Sequence, residues 1–484
     1  MHTQGESASL LGNNVDQRYN AVEGPPSVDD KYDAVETTTK NEIKFLIKNS
    51  TPVAVTFSLQ YFLAASALFV VGRIGKDELA AISLATTLSE ICGYAIVVGI
   101  TTCLDTLATQ SYGRQDYEMV GLHCQRCLVF LAIVTLPVMG VWIFSEPILH
   151  LMIPQYEVAR MSAQCLRILA MGMPAYYIFE VLKHFLQAQD IFHATTYVLL
   201  IGAPLNMFLY YLLVWNERFG MGLVGAPMAI VITDWVLTGL AVAYIAFVDG
   251  SKCWVRPRSM SDLFSHWGPM VKLAVPGIIM VEAEWLAFQV LTIISAQFGT
   301  DALAGQAVLG TLCTMAYQIP QSLGITASTR VGNLIGAQAV RAAKISTNAA
   351  FRLCIATGSA NAFIMFFFRN SLGRIFSNDE GVIAVVSSVL PLAALFQLND
   401  SLGAVSGGIL RGQGRQWIGG VVNVFFFYIM MLPLALLFAF TLGYGVNGLW
   451  MGLVVGVLFV SGFQYYFVSV SDWKSLVDAH TGME

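Results

Sequence analysis

Long apolar segments recur along the whole chain and are separated by short polar breaks. Each segment is long enough to cross the hydrocarbon core of a bilayer, which takes about 20 consecutive apolar residues. Several are longer than a span requires, so we expect tilted or kinked helices. The pattern predicts an all-α polytopic membrane protein with twelve transmembrane helices, near residues 50–72, 80–110, 121–144, 160–188, 193–215, 222–248, 269–297, 303–334, 343–368, 382–410, 417–441 and 446–470.

The polar segments divide this series of helices into parts. Residues 1–43 contain too few apolar side chains to fold alone, so we expect a disordered cytosolic tail. The longest internal break, residues 249–267, falls at the midpoint of the chain. We therefore expect an N-terminal six-helix lobe over 44–248, a C-terminal six-helix lobe over 268–471 and a short cytosolic tail over 472–484.

The two halves carry matching residues at a constant offset of 223 or 224 positions. The pairs are Pro52 with Pro276, Gly75 with Gly299, Asp77 with Asp301, Gln110–Gly113 with Asn333–Gly336, Phe185–Gln189 with Ile409–Gln413, and Gly220 with Gly443. A repeat of six helices gives both lobes the same orientation, related by an axis along the membrane normal. Two such lobes around a cleft predict alternating access, in which one bundle rocks against the other.

Composition and motifs argue against other classes of protein. Only 12% of the residues are charged, where soluble proteins have roughly 25%, and the net charge of −5 gives no sign of a nucleic-acid partner. No G-x-x-x-x-G-K-[ST], H-E-x-x-H or G-x-S-x-G motif is present, so we expect neither an ATP-driven motor nor an enzyme. Cys124 and Cys127 form a lone CxxC beside His123, which we interpret as helix-facing residues; we expect no metal and no cofactor.

The basic residues that flank the helices predict the orientation, because Lys and Arg concentrate on the cytosolic side. With a cytosolic N-terminus, the cytosolic flanks carry Lys44, Lys48, Arg114, Lys252, Arg256, Arg258, Arg341, Lys344, Arg411 and Arg415. The opposite flanks carry only Arg73, Lys76, Arg218, Arg369 and Arg374. We therefore expect both termini in the cytosol, which leaves the glycosylation sequon at Asn49 unused.

The N-terminal tail carries a candidate sorting signal. Glu6, Leu10 and Leu11 fit the acidic dileucine pattern E-x-x-x-L-L, which adaptors read on cytosolic tails. No apolar signal-peptide region precedes the first helix. We expect a multi-pass protein of the vacuolar or plasma membrane.

Two acids in the seventh segment are the strongest functional candidates. Glu282 and Glu284 lie near the middle of Pro276–Gly299, where a carboxylate costs several kcal/mol unless it meets water, a partner or a proton. Burial disfavours the charged form, so such an acid is suited to exchanging protons. The alternative is a neutral acid hydrogen-bonded between helices. The two side chains point in different directions on the helix, and we rank Glu284 above Glu282.

A further acid, Asp400, lies deep in the tenth segment. Gly403 and Gly407 follow on the same helix face and allow another helix or a ligand to come close. Since the seventh and tenth segments belong to the same lobe, we expect Asp400 and Glu284 to line one pocket.

The acids of the N-terminal lobe do not follow the repeat. Its membrane-embedded acids are Asp105, Glu180 and Asp234. Lys183 and His184 offer Glu180 local partners, so an ion pair and a functional role are both open for it. Asp105 lies near a helix end, where it could cap or pair with a neighbour. Asp234 has no local basic partner and is the strongest candidate of the three.

Comparing the repeat position by position shows how the lobes differ. Gln60 occupies the position of Glu284, and Tyr176 that of Asp400. Asn423 matches Asn206 after a small gap. This asymmetry favours distinct roles for the lobes, although divergence alone could produce it. The abundant aromatic and Met side chains suit a cavity for flat, hydrophobic, often cationic molecules, and most of them serve ordinary packing.

Several stretches resemble the eukaryotic branch of the multidrug and toxic compound extrusion (MATE) family. They are VGRIGKDELAAISLA (71–85), LDTLATQSYGR (104–114), FLQAQ (185–189), EWLAFQ (284–289), YQIPQSLGITASTRVGNLIGAQ (317–338) and SGGILRGQG (406–414). The resemblance implies twelve helices in two lobes and export of organic compounds in exchange for protons or sodium ions. It also implies coupling roles for the acids at Glu284 and Asp400.

The chain departs from this family pattern at three positions. Gln289 stands where animal members often have a second acid, so the resemblance does not carry over their cation preference. Gln338 and Thr109 each replace a glycine and concern the packing of helix ends.

The sequence therefore predicts a secondary antiporter that acts as a monomer in the lipid bilayer and exports small organic molecules. We expect the coupling ion to be H⁺, because the neighbours of Glu284 offer few oxygens for Na⁺, although Asn399, Ser401 and Ser406 near Asp400 could supply some. The alternatives are a Na⁺-coupled exporter and a flippase for lipid-linked oligosaccharides. A flippase would require a basic cavity, and basic residues are scarce in the predicted helices.

Overall fold

The computed structural model describes residues 35–152, 155–257 and 259–481. The candidate sorting signal of the N-terminal tail lies outside the described residues. Twelve long helices follow one another: α1 Thr39–Val71, α2 Lys76–Gly113, α3 Tyr117–Ile143, α4 Tyr156–Ala188, α5 His193–Trp215, α6 Gly222–Phe247, α7 Met260–Phe298, α8 Thr300–Gly336, α9 Val340–Phe367, α10 Glu380–Gly412, α11 Gln416–Thr441 and α12 Gly445–Ser469. They confirm the predicted all-α architecture.

Eleven of these helices are long and apolar enough to cross a membrane, and α8 is the exception. This helix is 37 residues long but carries many polar side chains in its second half. Among them, Ser322, Thr326 and Asn333 are buried. Because neighbouring helices cover this part of α8, its polar groups avoid contact with lipid.

Helix α1 begins at Thr39, well before the predicted start of the segment at residue 50. The Thr38 hydroxyl caps the helix by accepting from the backbone N–H of Asn41. Glu42 in the first turn is buried and binds Arg330 of α8 through both carboxylate oxygens, at 2.7 and 3.0 Å. The polar first turns of α1 are thus held by a partner on another helix, which hydrophobicity alone does not reveal.

The backbone repeats the matched positions of the two halves. Left-handed φ angles occur at three pairs of residues: Gln115 with Gln338, Asp190 with Gly414, and Gly222 with Gly445. Each pair is separated by 223 or 224 positions, as in the sequence repeat. The φ of 59° at Gln338 explains why glycine suits that position, because a residue without Cβ adopts this conformation without strain. These pairs confirm the parallel repeat.

Two hydrophobic cores fill the two bundles, and each bundle takes in the first turns of a helix from the other. Met270 and Ala274 of α7 pack in the core formed mainly by α1–α6. Leu46 of α1 packs in the core formed mainly by α7–α12. Pro52 and Pro276, which are equivalent in the repeat, follow these crossing turns. The lobes are therefore interlocked at the end of the molecule where the described chain begins and ends, which we call the termini side.

Candidate functional site

The structure brings Glu284 of α7 and Asp400 of α10 together in the C-terminal bundle. Their carboxyl groups interact electrostatically, and the Tyr317 side chain of α8 interacts with both. Asp400 is 9% exposed, and Glu284 is half-buried. Both acids thus occupy one site that is largely shielded from solvent.

Packing around Gly407 of α10 shows how a side chain of α7 reaches the helix that carries Asp400. A Cβ atom at Gly407 would lie 2.5 Å from Cε of Met280 on α7. Gly419 of α11 is in similarly close contact with Met280. Gly407 and Gly419 therefore leave room for the Met280 side chain of α7, one turn before Glu284.

The polar neighbours of Asp400 in sequence are directed elsewhere. The Asn399 side chain donates to the backbone carbonyl of Leu395 at 2.9 Å. The Ser401 hydroxyl donates to the carbonyl of Gln397 at 2.7 Å. Both groups thus donate to the backbone of their own helix, whereas the Ser406 hydroxyl is buried and has no hydrogen-bond partner within the described residues.

Glu282 lies in a different environment from Glu284, although only one residue separates them. Its electrostatic partners are Cys92 of α2 and Tyr428 of α11. The Tyr428 hydroxyl donates to the backbone carbonyl of Ala283 at 3.1 Å. As predicted, the two acids face different surroundings, with Glu282 on the side of α7 towards α2 and α11.

The three amides named as candidates are placed differently. Asn423 braces α7: its Nδ2 donates to the carbonyl of Met280 at 2.9 Å, and its Oδ1 accepts from Gln464 at 2.9 Å. Gln60 and Gln289 are half-buried, and neither forms a side-chain hydrogen bond within the described part of the chain.

The N-terminal bundle holds a second cluster of acids and aromatic rings. Asp234 of α6 and Glu180 of α4 interact electrostatically, and Tyr94 and Tyr176 lie beside them. The centroids of the two tyrosine rings are 4.3 Å apart. Glu90, which our sequence analysis missed, interacts with both tyrosines.

Two features mark Glu90 as part of this cluster. It begins the π-helical segment Glu90–Tyr94 of α2, and such segments frequently occur at functional sites. It also lies within the apolar segment 80–110, where an acid is already unusual in the sequence. The second feature was visible in the sequence and would have identified Glu90.

Glu180 is engaged by its local partner. Its carboxylate binds Lys183 at 2.7 Å, and both side chains are almost completely buried. The ammonium group of Lys183 lies 5.2 Å from the centre of the Phe57 ring. His184, the other potential partner, instead binds Asp105 of α2 at 2.8 Å. Glu180 is therefore one half of a buried ion pair.

Asp105 belongs to a polar contact between the two bundles. Besides His184, it binds Nε of Arg411 on α10 at 3.1 Å. Gln110 of α2 donates to the carbonyl of Gly412 at 3.0 Å, and the Thr106 hydroxyl donates to the carbonyl of Arg411. The sequence left open whether Asp105 caps a helix or pairs with a neighbour, and the structure shows a partner for it from each bundle.

Glycines bring the backbones of the two bundles into direct contact at the same end. A Cβ atom at Gly277 of α7 would collide with the hydroxyl of Thr102 and the carbonyl of Gly99 on α2. Gly336 of α8 is similarly close to the carbonyl of Gln110. Together with the polar contacts around Asp105, these close approaches form what we call the termini-side seal.

Asp190, in the turn between α4 and α5, adds an acid to this seal. Its carboxylate accepts a hydrogen bond from Asn333 of α8 at 3.2 Å. Burial raises the pKa of Asp190 to about 6, and the nearby Arg330 guanidinium opposes that rise. The seal therefore holds a carboxyl group that titrates close to physiological pH.

Comparisons with known proteins support a transporter. A family model described as MatE matches residues 52–212 and 276–437. An "uncharacterized transporter" of Schizosaccharomyces pombe is 39% identical over 473 residues, covering 94% of this chain and 87% of that protein. Multidrug and toxin extrusion protein 2 of Oryctolagus cuniculus is 29% identical, covering 92% of this chain and 74% of that protein.

A solved structure has the same fold. The eukaryotic MATE transporter AtDTX14 superposes with a TM-score of 0.86 at 28% identity, covering 92% of this chain and all of that one. The two matched regions of the family model fall in the two halves of the chain and begin at Pro52 and Pro276, the same positions that mark the repeat.

Proposed function

Because this chain belongs to the MatE family of multidrug and toxin extrusion transporters, we propose that it exports organic molecules across a membrane in exchange for protons. The observation that carries the proposal is the pairing of half-buried Glu284 on α7 with buried Asp400 on α10, two carboxyl groups of the same bundle that interact through their charges. Two carboxyl groups that repel each other can hold and release protons as their surroundings change.

The surroundings of these acids favour a proton over a sodium ion. Sodium requires several oxygen ligands at once, because each replaces part of its hydration shell. Glu284 is flanked in the sequence by the apolar residues Ala283, Trp285 and Leu286. The groups that interact with it in space are Asp400, Tyr317 and Arg411, and an arginine cannot serve as a ligand for a cation. Beside Asp400, the Asn399 and Ser401 side chains are bonded to their own helix. A proton needs only one carboxylate, which this site offers twice.

The energy available from protons is sufficient for export. One pH unit across the membrane supplies about 1.36 kcal/mol per proton. A potential of 100 mV adds about 2.3 kcal/mol. Since each tenfold concentration of solute requires about 1.4 kcal/mol, one returning proton concentrates a neutral solute roughly several-hundred-fold.

The aromatic and acidic side chains of the cluster in the N-terminal bundle support a substrate class. Tyr94 and Tyr176 place aromatic rings beside Asp234 and Glu90, and the buried ring of Trp142 packs edge-on against Tyr94. Aromatic faces attract cations, and acids add to that attraction. We assign to this cluster a role in holding a flat, hydrophobic, often cationic molecule, with Gln60 and Gln289 as further candidate contacts.

We assign the alternation of access to the two lobes, 44–248 and 268–471, acting within one monomer. The seal closes the termini side, so we assign the opening of the substrate path in this conformation to the opposite side. We place both termini in the cytosol and the protein in the vacuolar or plasma membrane. The conformation with a closed termini side is then the state that releases substrate and takes up protons.

The test is transport by purified protein in proteoliposomes loaded with a panel of dyes and drugs. Efflux is measured under a pH gradient without sodium, then under a sodium gradient with the pH clamped. We expect efflux in the first condition and none in the second. Transport that requires sodium and ignores the pH gradient would overturn the proton assignment.

A further inference from the structure

Arg411 is fixed in the termini-side seal. Its Nε donates to Asp105 of the other bundle at 3.1 Å, and its backbone carbonyl accepts from the Thr106 hydroxyl. The Arg411 side chain is 16% exposed, and that of Asp105 is 4% exposed. An ion pair shielded to this degree is costly to separate, because opening leaves one charge poorly solvated until water arrives. Arg411 therefore contributes directly to closure of this side.

The same arginine reaches the site that we assign to proton exchange. A Cβ atom placed at Gly407 would lie 2.5 Å from Cε of Met280, one turn before Glu284 on α7, and 3.9 Å from Nη1 of Arg411. At this position close to α7, Arg411 interacts electrostatically with Glu284 and with Tyr317 of α8. Glu284 also faces Asp400, which lies on the same helix as Arg411. Asp105, in contrast, interacts with Arg411 and His184. One positive charge thus stands between the acid of the seal and the acids of the pocket.

We propose that Arg411 transmits the charge of Glu284 to the termini-side seal. A charged Glu284 helps to hold Arg411 in the seal, and a proton on Glu284 removes this hold and loosens the seal. The inference rests on the proton exchange proposed above and adds to it the link by which a proton changes the conformation.

The direction of the effect follows from the difference in dielectric between the closed and open states. Opposite charges attract roughly fourfold more strongly at an effective dielectric constant of 20 than in water. In the closed seal, packed protein surrounds Arg411, whereas opening the seal admits water to it. A charged Glu284 therefore stabilises the closed state more than the open state. A neutral Glu284 no longer stabilises the closed state relative to the open state.

This direction is the one that exchange requires. A transporter that has lost its proton and carries no substrate stays closed on the termini side. It therefore does not change conformation without moving a proton or a substrate. Once Glu284 binds a proton, the seal loosens and the proton is carried to the termini side. Arg411 acts here as a positioning residue, since it makes no contact with the substrate in this scheme.

The experiment is hydrogen exchange of the full-length protein in lipid nanodiscs, in alkaline buffer without substrate or gradient. Exchange is followed in the ends of α2 and α8 that form the seal. We expect Glu284→Gln to accelerate exchange there about tenfold, which corresponds to about 1.4 kcal/mol. Arg411→Gln also accelerates it. The variant with both substitutions exchanges no faster than Arg411→Gln alone.

Two matched controls separate this link from general loosening. Arg415 lies four residues further on and donates to Ser471 at 2.8 Å within its own bundle. Arg415→Gln leaves exchange in the seal unchanged, and adding Glu284→Gln to it restores the full tenfold acceleration. Glu282→Gln removes an acid that faces Cys92 and Tyr428 and has no effect on the seal.

Two results overturn the inference: unchanged exchange in Glu284→Gln, or additive effects of the two substitutions. If Arg411→Gln fails to fold, Asp105→Asn takes its place, because it removes the other half of the same pair. The proposed function is judged separately by the proteoliposome assay. Efflux driven by sodium would refute the proton assignment. If the effects of Glu284→Gln and Arg411→Gln on exchange are still non-additive, the link through Arg411 stands.

Discussion

The side chains of α7 allow the coupling role to be tested at single residues. We expect Glu284→Gln to reduce pH-driven efflux to the level of empty vesicles with normal expression, because the amide cannot exchange a proton. Glu282→Gln retains most of the efflux, since its carboxylate faces different partners. Proteoliposome efflux by purified variants is the measurement. Uphill transport at the wild-type rate by Glu284→Gln would show that this acid is structural.

We expect substitutions of Asp400 and Asp234 to reduce transport to different degrees. Asp400→Asn abolishes transport, because it removes the partner charge of Glu284. Asp234→Asn weakens transport less, since Glu90 and Glu180 remain in the same cluster. Efflux rates at matched protein content compare the two. Equal and severe losses would indicate instead a proton site shared across the cleft.

Asp190 gives a prediction for stability against pH. Its pKa is raised from 3.8 to about 6, so the folded chain binds its proton more tightly than the unfolded chain. Stability therefore falls as the pH rises from about 4 to about 6, and the loss is complete above that range. Asp190→Asn removes the loss and retains an acceptor for Asn333.

We expect Asp190→Asn to raise stability at neutral pH by up to about 3 kcal/mol and to change little in acid. Thermal unfolding in detergent over a series of pH values measures this difference. A stabilisation independent of pH would contradict the assignment, as would a variant that is less stable than the wild type at neutral pH.

At the scale of elements, the seal depends on how closely the backbones of α2 and α7 approach. We expect Gly277→Val to prevent closure and abolish transport, because its side chain would collide with Thr102 and Gly99. Forcing such a contact costs about 1–3 kcal/mol. A Cβ atom at Gly268, on the same helix, would have no neighbour within 4 Å among the described residues, so Gly268→Ala serves as the control.

Hydrogen exchange in the seal and efflux are measured on both glycine variants. Rapid exchange and lost efflux in Gly277→Val, with normal behaviour of Gly268→Ala, is the expected result. Normal efflux by Gly277→Val would show that this close approach is not needed for the transport cycle.

Contacts between distant elements hold two groups that no local sequence pattern predicts. The extended start of α1 is held by the pair of Glu42 and Arg330, which lie 288 positions apart. Asp105 likewise finds Arg411 at a separation of 306 positions. Neither pair leaves a local pattern in the sequence. Glu180 and Lys183 were predictable as a pair because they lie three positions apart on one helix.

At the scale of the whole molecule, the remaining prediction concerns the membrane in which the protein resides. We expect replacement of Leu10 and Leu11 by Ala to move the protein from an internal membrane to the cell surface, because adaptors no longer bind the tail. Fluorescence microscopy of tagged full-length protein measures this. An unchanged distribution would show that the dileucine pattern is a chance match.

Composition and spacing along the chain were enough to predict the twelve helices, the parallel repeat and the acids of the seventh and tenth helices. A bilayer selects long apolar segments and makes an acid within them conspicuous, so these features can be recognised without a structure. The fixed offset between matching residues of the two halves can likewise be read from the sequence without knowing which residues are in contact. Even Glu90 was marked by its apolar surroundings.

Which charges meet became clear only from the folded arrangement of the helices. It joined Glu284 with Asp400, placed Glu282 elsewhere and connected Arg411 to both the pocket and the seal. The physical reason is that electrostatic and packing energies fall with distance in space, and distance along the chain does not fix distance in space for residues on different helices. Closure of the termini side, with its interlocked α1 and α7, is likewise a property of the assembled bundles.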